Sequence, residues 1–273
     1  MLAPSRAIAL GVMLATIPQA QRTALGRCTI GERPAASYHL PGRLVEVSGL
    51  AVGPRGTLLT HGDEQGVVTV LDGRTLQLVR EITLRGTPKD DFEGIAAAGD
   101  SIALMTSSGK VYLFRFGADS SVPFTTIETG LGRHCELEGL AWQRAQATLL
   151  LPCKQARGQA VTGLTVYRYR LGSKPGPVAP IHVNGAALAQ MTGVALLRAT
   201  SIEIDSPTGH LVALSSKPPL VLEIDTTGRP LAVKHLSSRN HPQAEGLTIT
   251  PGAIWIADEG AGRKGTLSRY ACR

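Results

Sequence analysis

Aromatic side chains are scarce in this chain: only 4% of its 273 residues are Phe, Trp or Tyr. The scarcity matters because the net charge is +7, a balance that invites a nucleic-acid reading. No basic run carries the interleaved aromatics that stack on bases, and the arginines are scattered, so a solvated basic surface explains the charge better. A G-x-S-x-G nucleophile elbow is also missing, which removes the most recognisable mark of a serine hydrolase. The one pronounced N-terminal apolar stretch, Ala7 to Ile17, falls short of the roughly 20 residues that span a bilayer. Cysteines number only four.

Glycine (31) and proline (17) are plentiful, and they separate many short Val/Ile/Leu/Thr runs. That punctuation favours strands and turns over long helices. With 43% apolar residues the chain can bury a sizeable core, as one large all-β domain or two small ones. Little helix is expected.

The opening "MLAPSRAIALGVMLATIPQA" sets Arg6 ahead of the apolar stretch, then Pro18 and the small Ala20. This order reads as a secretory signal peptide over residues 1–20, followed by a lead segment, 21–35. A membrane anchor is the weaker reading, and "LGRC" ending at Cys28 is a poor lipoprotein signal because Arg27 stands where a small residue is wanted. A periplasmic or secreted location follows from the leader. Export lets disulfides persist. Cys135 precedes the strand "ELEGLAW" and Cys153 ends "ATLLLPC", so a hairpin turning near Arg144 sets the two opposite each other, within bridging reach. Cys28 and Cys272 remain, near the two chain ends, and a bridge there joins them. The alternative is four free buried thiols.

A repeat organises the rest. "EVSGLAV" at Glu46, "DFEGIAA" at Asp91, "ELEGLAW" at Glu136, "ATSIEID" at Ala199 and "QAEGLTI" at Gln243 align, so that Ser48, Glu93, Glu138, Thr200 and Glu245 share one position. Their spacings are 45, 45, 62 and 45 residues. Each start is followed by a second apolar strand, such as "TLLLPCKQ" or "AIWIADEG", then a third, then a segment such as "QLVREITL" that supplies a fourth. The insert around "GSKPGPVAPIHVNGAALAQM" is read as a long loop or an outer strand. Four antiparallel strands per unit is the size of a β-propeller blade. The fold expected over residues 36–273 is therefore a single all-β, five-bladed β-propeller of four-stranded antiparallel blades. Only three strands follow the fifth start, so "ASYHLPG" near the N-terminus is expected to supply the last outer strand and close the ring.

Taken together, the "EGLA" starts, "SPTGHLVALSS" and "QAEGLTITPGAIWIADEG" resemble the SdiA-regulated family of bacterial proteins over roughly Ala36 to Tyr270. That resemblance implies a five-bladed propeller and a bound calcium ion, with no established activity. The fourth unit departs from the pattern, with Ser201 in the glycine's place.

In a propeller the innermost strands begin at one rim of the central channel and the second strands return to it. Glu93, Glu138 and Glu245 are thus expected at one channel mouth, with Glu46, Asp63, Glu64, Asp91, Glu136, Asp258 and Glu259 around them. These are ten of the chain's 21 acids. Crowded carboxylates repel, and a cation or a proton must relieve them. Oxygen donors without convergent His or Cys favour a hard ion, and calcium tolerates irregular coordination. The expected metal set is Glu93, Glu138 and Glu245, with Ser48, Asp91, Thr200 or Ser201 as helpers. A purely structural alternative has each Glu accepting backbone N–H bonds at a bulge. His61, Asp63, Ser107, Ser108, Lys154, Lys217 and Asp258 are candidate ligand contacts on the same rim, although wet turns carry polar residues in any protein. His134 and His210 are read as structural.

These readings lead to an exported, monomeric, calcium-binding propeller that binds a small ligand or an envelope protein. The alternative is a calcium-dependent hydrolase of an ester, lactone or phosphoester. A missing base counts against catalysis, since His61 is the one histidine expected on the acidic rim.

Overall fold

The computed structural model describes residues 23–31, 33–158 and 162–273. The proposed signal peptide, residues 1–20, lies outside the described residues. Five small sheets follow one another along the chain. Blade 1 holds strands Val47–Val52, Leu58–Gly62, Val67–Leu71 and Leu78–Leu84. Blade 2 holds Phe92–Ala98, Ser101–Thr106, Lys110–Arg115 and Thr125–Glu128. In blade 3 the inner strand is split into Cys135–Leu137 and Ala141–Gln143, ahead of Thr148–Ala156, Leu164–Arg170 and Gly176–Val183. Blade 4 holds Ser201–Ile204, Leu211–Ser216, Pro219–Ile224 and Pro230–His235. Blade 5 takes Ala244–Thr250, Ala253–Asp258 and Thr266–Ala271 from the C-terminal end, and Ala36–His39 pairs antiparallel with the last of these as its outer strand.

Two details differ from a plain four-strand repeat. Blade 1 gains a short fifth strand, Ser121–Val122, lent by the blade 2 loop and running parallel to Leu78–Leu84. The insert after blade 3 forms an outer strand and then the helix Gly185–Thr192, whose N-terminal N–H groups are capped by Asn184.

The apolar residues explain why the sheets form a circle. They fall into five buried clusters, one at each seam between neighbouring blades. In Leu211–Ser216, Leu211 and Ala213 pack toward blade 3 while Val212 and Leu214 pack toward blade 5. The second strand of each blade is covered on both faces and reads as a near-continuous apolar run, whereas the outer strands keep exposed positions. The seam between blades 5 and 1 is of the same kind, with Trp255 and Leu267 against Leu50 and Leu58.

The lead segment is a packed element. Ala24, Leu25 and Ile30 are buried in the seam of blades 4 and 5. The short helix Ala24–Arg27 presents its first N–H groups to the buried Glu223 carboxylate, Ala24 N and Leu25 N each donating at 3.0 Å. His210 reaches the same carboxylate at 2.7 Å, and Arg27 forks onto Asp205 at 2.8 and 2.9 Å. Beside this contact Cys28 is disulfide-bonded to Cys272, 244 positions away. The second disulfide joins Cys135 to Cys153. These two sit diagonally, because Cys135 pairs with Ala156 and a register shift places Leu137 opposite Cys153.

Candidate functional site

The Glu-Gly repeats mark bulges at the start of the inner strands. Register shifts fall between Val47 and Gly49, Phe92 and Gly94, and Ala244 and Gly246, so Ser48, Glu93 and Glu245 are each the extra, unpaired residue. The following glycine is demanded by space near the axis. A Cβ on Gly94 would lie 2.8 Å from the Gly139 carbonyl carbon, and one on Gly139 would lie 2.7 Å from Ser201 Cα. Gly139 also sits at φ +85°, which L side chains rarely adopt. Inner strands are further stitched edge to edge, Gly139 N donating to Glu93 O at 2.5 Å. In blade 4 hydroxyls do the stitching: Thr200 Oγ1 donates to Ala244 O at 2.7 Å, and Ser201 Oγ accepts from Leu247 N at 3.1 Å. Both side chains are buried. That role accounts for the departure of the fourth unit from the pattern.

The bulges bring Glu93, Glu138 and Glu245 into one electrostatic cluster. Ser48 Oγ donates to Glu93 Oε2 at 2.5 Å. Lys154, from the end of the second strand of blade 3, forms an ion pair with Glu138 and approaches Glu136 at 3.9 Å. Burial, then the neighbouring Glu138, pushes the Glu93 carboxyl up to about 8 against the Ser48 hydrogen bond. Burial raises Glu138 and Glu245 as well, with the neighbouring Glu245 adding to the rise at Glu138. Burial works against the Lys154 charge, but Glu138, Glu245 and Glu93 overcome it and hold the ammonium above the ordinary lysine range. Glu245 Oε2 is buried with no hydrogen-bond partner. By its sequence position Lys154 is a rim residue and a candidate ligand contact. Its place among the glutamates depends on how a side chain reaches across from the neighbouring strand, which no local pattern encodes.

An outer acidic collar adjoins the cluster. Burial first, then Glu46, raises Asp63, while burial followed by Asp63 and Glu46 raises Glu259. Asp91 is exposed at this rim and interacts with both Glu93 and Asp63. Thr106 and Ser108 hydroxyls bond to each other at 2.9 Å, and the Ser107 amide donates to Asp91 O.

Other expected contacts are placed elsewhere. His61 is fully buried, its Nδ1 at 3.0 Å from Gly62 O, and burial lowers its pKa to about 4, so the ring is neutral. Asp258 is also sealed from solvent. It lies 2.8 Å from His241 Nδ1, and the opposite ring nitrogen contacts Tyr270 Oη at 2.5 Å. Neither side chain can meet a ligand at the rim without opening the core. Lys217 is exposed at the turn after Leu211–Ser216 and forms no ion pair with the axial carboxylates among the described residues. His210 contributes to the Glu223 contact, and His134 stacks near Tyr167, both consistent with structural roles.

As donors, three carboxylates and a hydroxyl suit a hard cation such as calcium. Among the described residues, no three His, Cys, Asp or Glu side chains are gathered as a ready metal cage. The fit therefore rests on donor chemistry and charge: Lys154 offsets one of three carboxylates, leaving a deficit that two protons or one divalent ion would meet.

Beside Lys154, between blades 3 and 4, lies a cavity of about 260 Å³. Leu164, Tyr167, Leu196 and Leu197 give it an apolar wall, and Lys154 and Arg198 give it positive charge.

A ring of five sheets with a buried carboxylate cluster at one channel mouth defines a five-bladed β-propeller. The family model of the SdiA-regulated proteins matches residues 38–261, and the chain belongs to that family. Among solved structures it is similar to Myxococcus xanthus glutaminyl cyclase, at 17% identity and TM-score 0.63, covering 88% of this chain and 97% of that one. It is also similar to the PQQ-bound aldose sugar dehydrogenase of Streptomyces coelicolor, at 11% identity and TM-score 0.55, with 89% and 100% covered. The Malassezia sympodialis allergen Mala s 1 matches at 7% identity and TM-score 0.56, with 86% and 95% covered. At such identities the likeness is one of fold.

Proposed function

We propose that this protein is an exported propeller that binds calcium at the channel mouth and serves as a binding module for a small ligand or an envelope protein. The observation that carries the reading is charge. Three carboxyls that burial has made hard to ionise face one ammonium, and a divalent cation would let all three ionise. Glu93, Glu138 and Glu245 would hold the ion, with Ser48 orienting Glu93 and Asp91 adding charge at the rim. Lys154, no longer needed by Glu138, would turn to the adjoining cavity, where Arg198 already offers a second cation for an anionic ligand. Export is supported by the two disulfides, and no helix among the described residues is long and apolar enough to cross a membrane.

Hydrolysis has less support. The single histidine expected on the acidic rim, His61, is buried and neutral with no access to a substrate. Glutaminyl cyclase and aldose sugar dehydrogenase show that related folds carry unrelated chemistry, so the fold supplies no vote. Calorimetric titration with calcium tests the proposal. Saturable binding is expected, weakened at least a hundredfold in Glu138→Gln and in Glu245→Gln. No binding, or binding indifferent to both substitutions, would overturn it.

A further inference from the structure

The far mouth of the same channel is built differently. A cavity of about 250 Å³ opens there, and all five inner strands line it, with Ala51, Ala96, Trp142, Glu203 and Ile249 among the contributors. Water occupies about 30 Å³ per molecule, so the space equals about eight waters and admits a group of a few heavy atoms.

Three residues beyond the axial repeat position stand Ala51, Ala96, Ala141, Glu203 and Thr248. Blades 1 to 3 thus place alanine at this level, whereas blade 4 places a carboxylate and blade 5 a hydroxyl that donates to it. Thr248 Oγ1 to Glu203 Oε2 is 2.8 Å, and Ile204 N donates to Oε1 at 2.8 Å. Two donors fix the carboxyl in position, yet among the described residues no Lys, Arg or His forms an ion pair with it. Burial pushes the group up to about 7, as an acid in apolar surroundings without a counter-charge must be.

We infer that this mouth is a binding site for a small organic ammonium ion, with Glu203 as its counter-charge and the side chains of Ala51, Ile95, Ala96 and Ile249 beside its alkyl part. Glu203 and Ser206 supply the oxygen-bearing side chains of the wall, so most of the six to eight oxygens that calcium takes would have to come from main-chain carbonyls or water. An alkylammonium needs one carboxylate, polar groups or water for its remaining N–H donors and apolar side chains for its alkyl part, and a lining of Glu203, Ser206 and Ala, Val, Leu and Ile side chains offers these.

Calorimetry with n-butylammonium chloride, and with n-butanol as the neutral counterpart, tests the inference. The unaltered protein should bind the ammonium saturably and the alcohol at least tenfold more weakly. Glu203→Ala, which restores the residue that blades 1 to 3 carry, should weaken ammonium binding at least tenfold. Glu128→Gln, on the outer strand of blade 2 and away from both mouths, should leave it unchanged. Absence of saturable binding, equal affinity for the alcohol, or equal losses in the two variants would each overturn the inference. The alcohol comparison uses unaltered protein and decides the matter even if Glu203→Ala does not fold. Failure of calcium binding at the other mouth has no bearing on any of these outcomes.

Discussion

In calcium-free protein, the melting temperature should fall as pH rises from about 6 to about 8, and calcium should abolish the fall. The reasoning starts at Glu93, whose carboxyl is raised from an ordinary 4.5 to about 8, chiefly by burial and then by Glu138. At the lower pH the unfolded chain has lost this proton while the folded protein keeps it. Folding then takes up a proton, so stability is largest at low pH and is lost as pH climbs toward the folded value. The limiting slope is about 1.4 kcal/mol per pH unit. Allowing for solvent near the rim, two units cost about 2 kcal/mol, which lowers the melting temperature by about 4–8 °C at this chain length. Glu138 and Glu245 are shifted in the same direction by burial and add to the slope. Calcium at about 100 times its Kd contributes about 2.7 kcal/mol and keeps the carboxylates ionised throughout. Differential scanning calorimetry in chelator and in calcium, with Glu93→Gln as the flattened control, measures each quantity. A chelated protein with a level melting temperature over this range, or one that falls equally in calcium, would refute the reasoning.

Two further expectations concern the clasp between the chain ends. The Cys28–Cys272 disulfide spans 244 positions and Cys135–Cys153 spans 18, so loop entropy assigns about 5 and about 3 kcal/mol to them. Denaturant unfolding of the paired serine variants should reproduce that order, and a reversed order would contradict the entropic account. Glu223→Gln weakens the acceptor for Ala24 N, Leu25 N and His210, at a cost of about 1–3 kcal/mol. Hydrogen exchange at Ala24 and Leu25 should accelerate before the rest of the fold does, and unchanged protection there would show that the carboxylate is not the anchor.

The blades were legible because their second strands are buried on both faces, which turns each into a short apolar run. The Glu-Gly repeat was legible because at Gly94 and Gly139 the neighbouring inner strand leaves no room for a Cβ. The site was readable only as a list of acids. Which carboxylates meet, and that Lys154 reaches them, depends on neighbouring strands 16 residues or more apart in sequence from Glu138 to Lys154. His61 and Asp258 look like rim residues by position, yet both side chains are buried, and Asp258 meets His241, which in turn contacts Tyr270. Residues 23–31 read as a passive lead because their partners, Asp205 and Glu223, lie about two hundred positions away.

Because the seam between blades 5 and 1 joins Trp255 and Leu267 to Leu50 and Leu58, the first sheet made has a bare flank until the last strands exist. Synthesis from the N-terminus thus delivers the partner of the earliest blade last. Until then blade 1 keeps one apolar flank without its native cover.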